Sequence, residues 1–381
     1  CHACIKPKFY PTDICQGCFA RPCKVNCPKK AIDIINHRAT IDWSKCIGCG
    51  LCAQNCPYHA IVKTVIPCED SCPVGAITKG EDGHESIDYD KCIFCGKCLS
   101  NCPFSAMTEK SQLFDVVKHI MAGKKVAALY APAIGAQFRA KPGQFDSALR
   151  GAGFARVWEV AIGADITADK EAHEFAERME RGDKMMTTSC CPAYVRAVNI
   201  HVPELSPCIS ETKSPMVYTA ELAKRIDPDC ITVFVGPCLA KRREGMDTES
   251  VDYVLSVDEV NALFIAKRID VAKVEAKSET DYVPTVSGRN FAKTGGVAES
   301  VKIRLTDKSI LRPVVIDGLS KVGMKQLATY GSINAGTKPA PADCPNLIEV
   351  MACEGGCIAG PSVITNPKLG AGLLNTYANA G

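Results

Sequence analysis

Apolar and polar positions change their pattern near residue 110. Beyond it, amphipathic stretches of helical period alternate with short β-prone apolar runs. SQLFDVVKHIMAG (111–123) predicts a helix, KVAALYAPA (125–133) a strand, FDSALRGAG (145–153) a helix stopped by glycine, and ARVWEVAIG (155–163) a strand. ITADKEAHEFAERMERG (166–182) predicts a long helix with Thr167 as its N-cap, leading into KMMTTSCC (184–191). ITVFVGPC, YVLSV, PVVIDG and LIEVMAC read as further strands, with helices such as SPMVYTAELAKRI (214–226) between them. This alternation predicts an α/β domain with largely parallel sheets over residues 111–381. In such sheets ligands bind beyond the carboxyl ends of the strands, and there the chain places Cys190 and Cys191, Cys238, and Cys353 with Cys357. Two thiolates four residues apart, as in EVMACEGGCIAG (349–360), cannot complete a tetrahedral site, so a buried metallocluster would draw ligands from all three segments.

Residues 1–110 follow another pattern. IDWSKCIGCGLCAQNCPYHAI (41–61) and IDYDKCIFCGKCLSNCPFSAM (87–107) repeat each other, and each carries CxxCxxCxxxCP, the iron-sulfur run whose last Cys ligates the other cluster of a pair. Gly48, Gly50 and Gly96 let the backbone wrap closely and aim amides at the cluster sulfurs. CQGCFARPCKVNCPKKAI (15–32) precedes the first repeat, and PCEDSCPVGAI (67–77) the second, each at ferredoxin spacing. The cysteines then divide without remainder: Cys15, Cys18 and Cys23 with Cys56; Cys46, Cys49 and Cys52 with Cys27; Cys92, Cys95 and Cys98 with Cys72; Cys1, Cys4 and Cys68 with Cys102. Four 4Fe-4S clusters in tandem ferredoxin-like α+β modules follow, a wire between a surface partner and a buried site. Cys1 and Cys4 also fit a free or zinc-binding pair.

Composition narrows the classes. At 381 residues the chain is long enough for two or three domains, and its net charge of +3 gives no electrostatic case for nucleic acid or membrane as partner. No apolar run reaches the ~18 residues that span a bilayer, and no signal peptide is seen. Of the 24 cysteines, 16 fall in the first 102 residues at cluster spacing, which argues against disulfides and for a reducing compartment, the cytoplasm.

TSCCPAY (188–194), GPCLAKRRE (236–244) and EVMACEGGC (349–357), in this order behind ferredoxin arrays, resemble the three signature segments of the iron-only hydrogenases. The resemblance covers nearly the whole chain. It implies an H-cluster: a 4Fe-4S cubane on Cys191, Cys238, Cys353 and Cys357, with Cys357 bridging to a two-iron unit that bears CO, cyanide and an azadithiolate. It further implies that Cys190 passes protons beside the open iron, that Lys241 donates to a cyanide, and that Glu171, Glu174 and Ser214 form the proton route. Hydrogen, protons, ferredoxin or a similar carrier, and maturation proteins that deliver the two-iron unit would be the partners. The chain departs from the family's common motifs at Ala133, Ala193, Tyr194, Gly236 and Glu354, and continues AGPS after Ile358, which makes it a divergent member.

Residue chemistry points the same way. Lys241, three residues past Cys238, can serve anionic ligands, though KRRE is also an ordinary solvated charge run. Cys190 cannot ligate its neighbour's iron without strain, which leaves it free to move protons or to be an inert buried thiol. Glu171 and Glu174, at i and i+3, share one helix face, a spacing that also suits a solvated surface; His173 reads as a surface residue. Cys208, Cys230 and Cys344 read as core or surface thiols. Three functions compete: a reversible hydrogenase, a slow-turnover hydrogen or redox sensor, and a hydrogenase-like assembly scaffold lacking the two-iron unit.

Overall fold

The computed structural model describes residues 4, 8–277 and 282–380. Its N-terminal region is built from short antiparallel pairs and one-turn helices. Ile32–Ile35 pairs with Arg38–Ile41, Ile77–Lys79 with Glu85–Ile87, and Phe9–Pro11 with Ile61–Lys63. Asn36 and His37, both at positive φ, close the first hairpin. The one-turn helices Pro22–Val25, Leu51–Gln54, Pro67–Ser71 and Lys97–Ser100 each carry one array cysteine, namely Cys23, Cys52, Cys68 and Cys98. Gly96 caps the last of these at φ 76°, and a Cβ there would lie 2.5 Å from the Pro361 ring. Only glycine lets the second ferredoxin-like module sit this close to the C-terminal domain.

Two parallel sheets form that domain. The four-stranded one runs in the order Tyr253–Ser256, Ile231–Gly236, Val126–Tyr130, Arg156–Glu159. The three-stranded one runs Pro313–Asp317, Leu347–Met351, Met186–Thr187. The α/β architecture read from the apolar pattern is therefore the one observed, and each strand named above forms. Val126–Tyr130 is buried along its whole length, as befits a strand covered on both faces. Phe145, Leu149 and Phe264 belong to the core on one face of this sheet, and Trp158, Met216 and Phe234 to the core on the other.

One boundary differs. The predicted helix starts at Ala161 rather than after Thr167, and runs to Arg181. Thr167 is inside it, its Oγ1 donating to the Gly163 carbonyl at 2.9 Å. The extra turn, AIGAD, is made of small residues whose period is faint, and it exists because of packing: a Cβ on Gly163 would lie 2.1 Å from the Pro215 carbonyl of the neighbouring Pro215–Ile226 helix. The C-terminal helix Pro367–Ala378 seats the Tyr377 ring over Gly135, where Tyr130 meets its hydroxyl at 3.2 Å and a buried Glu159–Arg289 pair lies alongside. Among the described residues no helix is long and apolar enough to cross a membrane.

Candidate metal centre

Because all the strands of each sheet are parallel, their carboxyl ends gather the cysteines. Cys191 follows Met186–Thr187 and is the N-cap of the Pro192–His201 helix; Cys238 follows Ile231–Gly236 and is the N-cap of Leu239–Met246. Cys353 follows Leu347–Met351, and Cys357 opens the turn Cys357–Ala359. Between them Gly355 and Gly356 hold φ of 92° and 91°, and a Cβ on Gly356 would strike the 292–294 backbone, so this tight return needs glycine.

Burial pushes the thiols of Cys191, Cys238, Cys353 and Cys357 up, Cys238 to about 11 and Cys357 to about 12, and the neighbouring thiols add to the shift at Cys238, Cys353 and Cys357. Four half-buried thiols in surroundings that resist their ionisation suit a cationic metal core, which would supply the charge that makes them ligands. Among the described residues no three Cys, His, Asp or Glu side chains converge on a single-ion site. A cubane instead needs thiolates set apart around a larger core.

Beside these thiols lies a cavity of about 80 Å3, walled by Ala133, Met216, Phe234, Phe291 and Met351 and lined also by Cys190, Cys191, Cys238, Cys357 and Lys241. Lys241 is 9% exposed; its Nζ donates to Glu244 Oε2 at 2.7 Å and to the Cys190 carbonyl at 3.3 Å. Burial, the largest single influence, works to lower its pKa, but the Glu244 carboxylate, together with Cys238 and Cys190, raises it by more, and the net shift is upward, so the group stays cationic. Burial, reinforced by Glu171, pushes the Cys190 thiol up and keeps it protonated. The motif departures are absorbed here by packing. Tyr194 is fully buried and donates to Thr187 Oγ1 at 2.6 Å, and Gly236 makes room for the Phe234 ring that walls the cavity.

The two glutamates of the expected proton route lie on one face of the Ala161–Arg181 helix. Glu171 is wholly buried, which raises it to about 8; Oε1 accepts from the Ser189 amide at 3.0 Å and hydroxyl at 3.3 Å, while Oε2 has no partner among the described residues. Glu174 accepts from Arg178 Nε at 2.8 Å, Ser210 Oγ at 2.6 Å and Thr212 Oγ1 at 3.2 Å. The serine against Glu174 is thus Ser210 and not Ser214. The amide of Ser210 bonds the Thr187 carbonyl at 2.8 Å, which pins it beside the second sheet, whereas Ser214 is the N-cap position of the next helix and its hydroxyl is without a partner among the described residues. Arg178 lies at i+4 from Glu174, a spacing that could have flagged it. Glu349 also escaped the sequence reading. It is fully buried, takes the Gly295 and Ala298 amides at 2.7 Å each, and so caps the Gly296–Arg304 helix from a neighbouring strand. His173 is an exposed residue paired with Glu177 at 3.2 Å. Cys208 and Cys230 are buried and Cys344 is half-buried.

Burial raises Glu349 to about 7, as it does Glu171 to about 8. The folded chain therefore holds protons that the unfolded chain has already released above the ordinary carboxylate range, and stability from these groups falls as pH rises through 7 and 8. Glu171→Gln is expected to flatten the fall in Tm between about pH 6 and 8.5. An unchanged slope would count against the buried, protonated carboxyl.

In the N-terminal region Cys15, Cys18 and Cys56 are close enough to act on the Cys23 thiol, which burial raises. Cys27, Cys46, Cys49 and Cys52 surround one small cavity. Cys72 acts on Cys92, Cys95 and Cys98. Cys4 acts on Cys68, while Cys1 lies outside the described residues. The four cysteines that precede proline are equivalent: Cys27, Cys56, Cys72 and Cys102 accept the amides of Ala31, Ala60, Ala76 and Ala106 at 3.2–3.3 Å. Cys95 and Cys353 line one cleft and influence each other's charge, so the ferredoxin-like arrays abut the buried thiols.

Ferredoxin-like arrays leading to a buried four-thiol centre at the ends of parallel strands define an iron-sulfur redox protein. Residues 124–361 match the family described as iron only hydrogenase large subunit, C-terminal domain; residues 39–62 match a 4Fe-4S binding domain and 63–113 the LdpA Fe-S cluster-binding domain. The chain belongs to the iron-only hydrogenase large subunit family. It is 32% identical to the periplasmic Fe hydrogenase large subunit of Nitratidesulfovibrio vulgaris, over 90% of this chain and 93% of that one. It is 29% identical to iron hydrogenase 1 of Clostridium pasteurianum, over 92% and 69%. A shorter match, 29% identity over 29% of this chain and 24% of the relative, is to the cytosolic Fe-S cluster assembly factor NAR1 of Kluyveromyces lactis. The FeFe-hydrogenase of Chlamydomonas reinhardtii shares the fold at a TM-score of 0.54 and 20% identity, over 70% of this chain and 88% of that one.

Proposed function

We propose that the chain is a hydrogenase that interconverts hydrogen with two protons and two electrons. In this reading an H-cluster sits on Cys191, Cys238, Cys353 and Cys357 within residues 111–381. Four 4Fe-4S clusters in residues 1–110 carry the electrons to ferredoxin or a similar carrier, in the reducing cytoplasm. The observation that carries it is the apolar cavity where the Cys190 thiol and the Lys241 ammonium stand beside the ligand thiols.

The residues fit the group. The four thiols suit a cubane, and the cavity next to them offers a dry space with one fixed cation for anionic diatomic ligands. When bound, the two-iron unit supplies the place where hydrogen exchanges its electrons. The chain's own part is to exclude water with Phe234, Phe291 and Met351, to orient anions with Lys241, and to hold a proton at Cys190 Sγ. Glu171, electrostatically coupled to Cys190, is the next carrier, and Ser189, Thr212 and Glu174 extend a polar line towards an open groove. Arg178 holds Glu174 by an ion pair of 2.7 Å and orients it.

An assembly role without the two-iron unit is favoured by the partial likeness to NAR1. Against it stand Cys190 and Lys241, which a cubane alone does not need. Infrared spectra taken after incubation with maturation proteins separate the two readings. Bands of metal-bound CO and cyanide are expected, and their absence would support the assembly role.

The Pro192–His201 helix joins wire and site. Its N-cap is the ligand Cys191, and one turn on Arg196 donates to the carbonyls of Cys92 at 2.7 Å and Tyr89 at 3.0 Å. A cation there favours the reduced, more anionic cluster on Cys92, Cys95, Cys98 and Cys72. Arg196→Gln is expected to lower that cluster's reduction potential by on the order of 50 mV, read by potentiometric EPR. A potential that does not move would assign Arg196 to packing alone.

A further inference from the structure

The two ferredoxin-like modules differ in charge and in position. Residues 8–65 hold eight Lys and Arg against three Asp, a net of +5, whereas residues 1–7 and 66–110, which carry the second module's cysteines, hold five against eight Asp and Glu, a net of −3. Clusters with their thiolates would make both modules more negative alike and leave the difference standing. The second module is fastened to the C-terminal domain through Lys97 to the Leu319 carbonyl at 2.6 Å, His201 to the Lys91 carbonyl at 2.9 Å, Arg196, and the Gly96–Pro361 contact. By contrast, among the described residues the hydrogen bonds and ion pairs of 8–64 close within that stretch. The first module is the outboard end of the array.

On that end one thiol set comes to the surface. Cys49 is exposed, Ile47 beside it is 61% exposed, and Lys29 lines the same small cavity as Cys27, Cys46, Cys49 and Cys52. Lys30 and Lys45, also exposed, adjoin Lys29 and Cys46 in sequence, and Lys45 pairs with Asp42 at 3.0 Å. An apolar contact at the cluster edge within a cationic rim is what a transient electron-transfer encounter uses: charge steers the partner and the small apolar spot lets it leave.

We propose that the Ile47–Cys49 edge, rimmed by Lys29, Lys30 and Lys45, is the docking surface for a small acidic one-electron carrier protein of ferredoxin type. Electrons enter and leave at the outboard module, and the acidic second module repels the same partner. This rests on the reading of the chain as a hydrogenase that exchanges electrons with a carrier.

The test measures binding of an acidic two-cluster bacterial ferredoxin to the cluster-loaded chain under anaerobic conditions, by calorimetry. At about 20 mM salt the Lys29→Glu/Lys30→Glu pair should raise Kd at least tenfold, with the gap closing near 0.5 M. Lys325→Glu/Lys338→Glu, which makes the same change in net charge at exposed positions of the C-terminal domain, outside the module that carries the docking edge, should leave Kd within about twofold. Equal losses in both pairs, or no loss in the first, overturn the proposal. Iron content checks that the first pair still loads, and Lys29→Ala/Lys30→Ala, a gentler change, should give an intermediate Kd. Hydrogen-driven reduction of methyl viologen is measured in parallel. If it is absent while the Kd pattern holds, the hydrogenase reading fails and the docking surface stands.

Discussion

Cys357→Ala is expected to remove the CO and cyanide infrared bands and to bring hydrogen turnover to background. Its thiol belongs both to the four-thiol set and to the apolar cavity, a wall it shares with Cys191 and Cys238, and in the proposed reading it is the one that bridges to the two-iron unit; burial holds it at about 12 when unligated. Cys208→Ala is the matched control. Cys208 is 3% exposed and packs in the core under the second sheet, so its loss should cost on the order of 1 kcal/mol and leave bands and turnover in place. Bands that persist in the Cys357 variant would move the bridge to another thiol.

Cys190→Ser should slow turnover by on the order of 10²–10⁴-fold while iron loading and the infrared bands survive. A hydroxyl is close in size, so the cavity keeps its shape. It releases its proton far less readily than a thiol of ordinary pKa ~8.5, and the transfer at the cavity wall becomes the slow step. Turnover near the parent level would mean that protons reach the cavity without Cys190, and Glu244, which reaches it through Lys241, would be the first place to look.

Much of this architecture was legible because the same residues serve folding and chemistry. An apolar β-prone run ending in Cys marks both a buried parallel strand and a ligand at its carboxyl end, as in ITVFVGPC and LIEVMAC, and both strands occur with the cysteine beyond their ends. CxxC spacing is local and needs no tertiary information. What escaped depends on contacts between distant segments. Ser210 and Ser214 are equally good hydroxyls in CISETKS, and only the bond of Ser210 to the Thr187 carbonyl decides which faces Glu174. The first turn of the Ala161–Arg181 helix was lost because Gly163 answers to the Pro215 carbonyl rather than to helix propensity. Glu349 is one polar residue in an apolar strand, and an acid in such a run signals a buried partner, here the end of a helix, which only the fold identifies.

The four amide-to-sulfur bonds at Ala31, Ala60, Ala76 and Ala106 also make the wire self-reporting. A bound core would hold each of these sulfurs against its amide, and short one-turn helices have little stability of their own to slow exchange. Deuterium uptake at these four alanines should therefore be slow where the neighbouring core is bound and fast where it is missing. A single hydrogen-exchange map of a partly loaded preparation would read out, position by position, the order in which the clusters are installed.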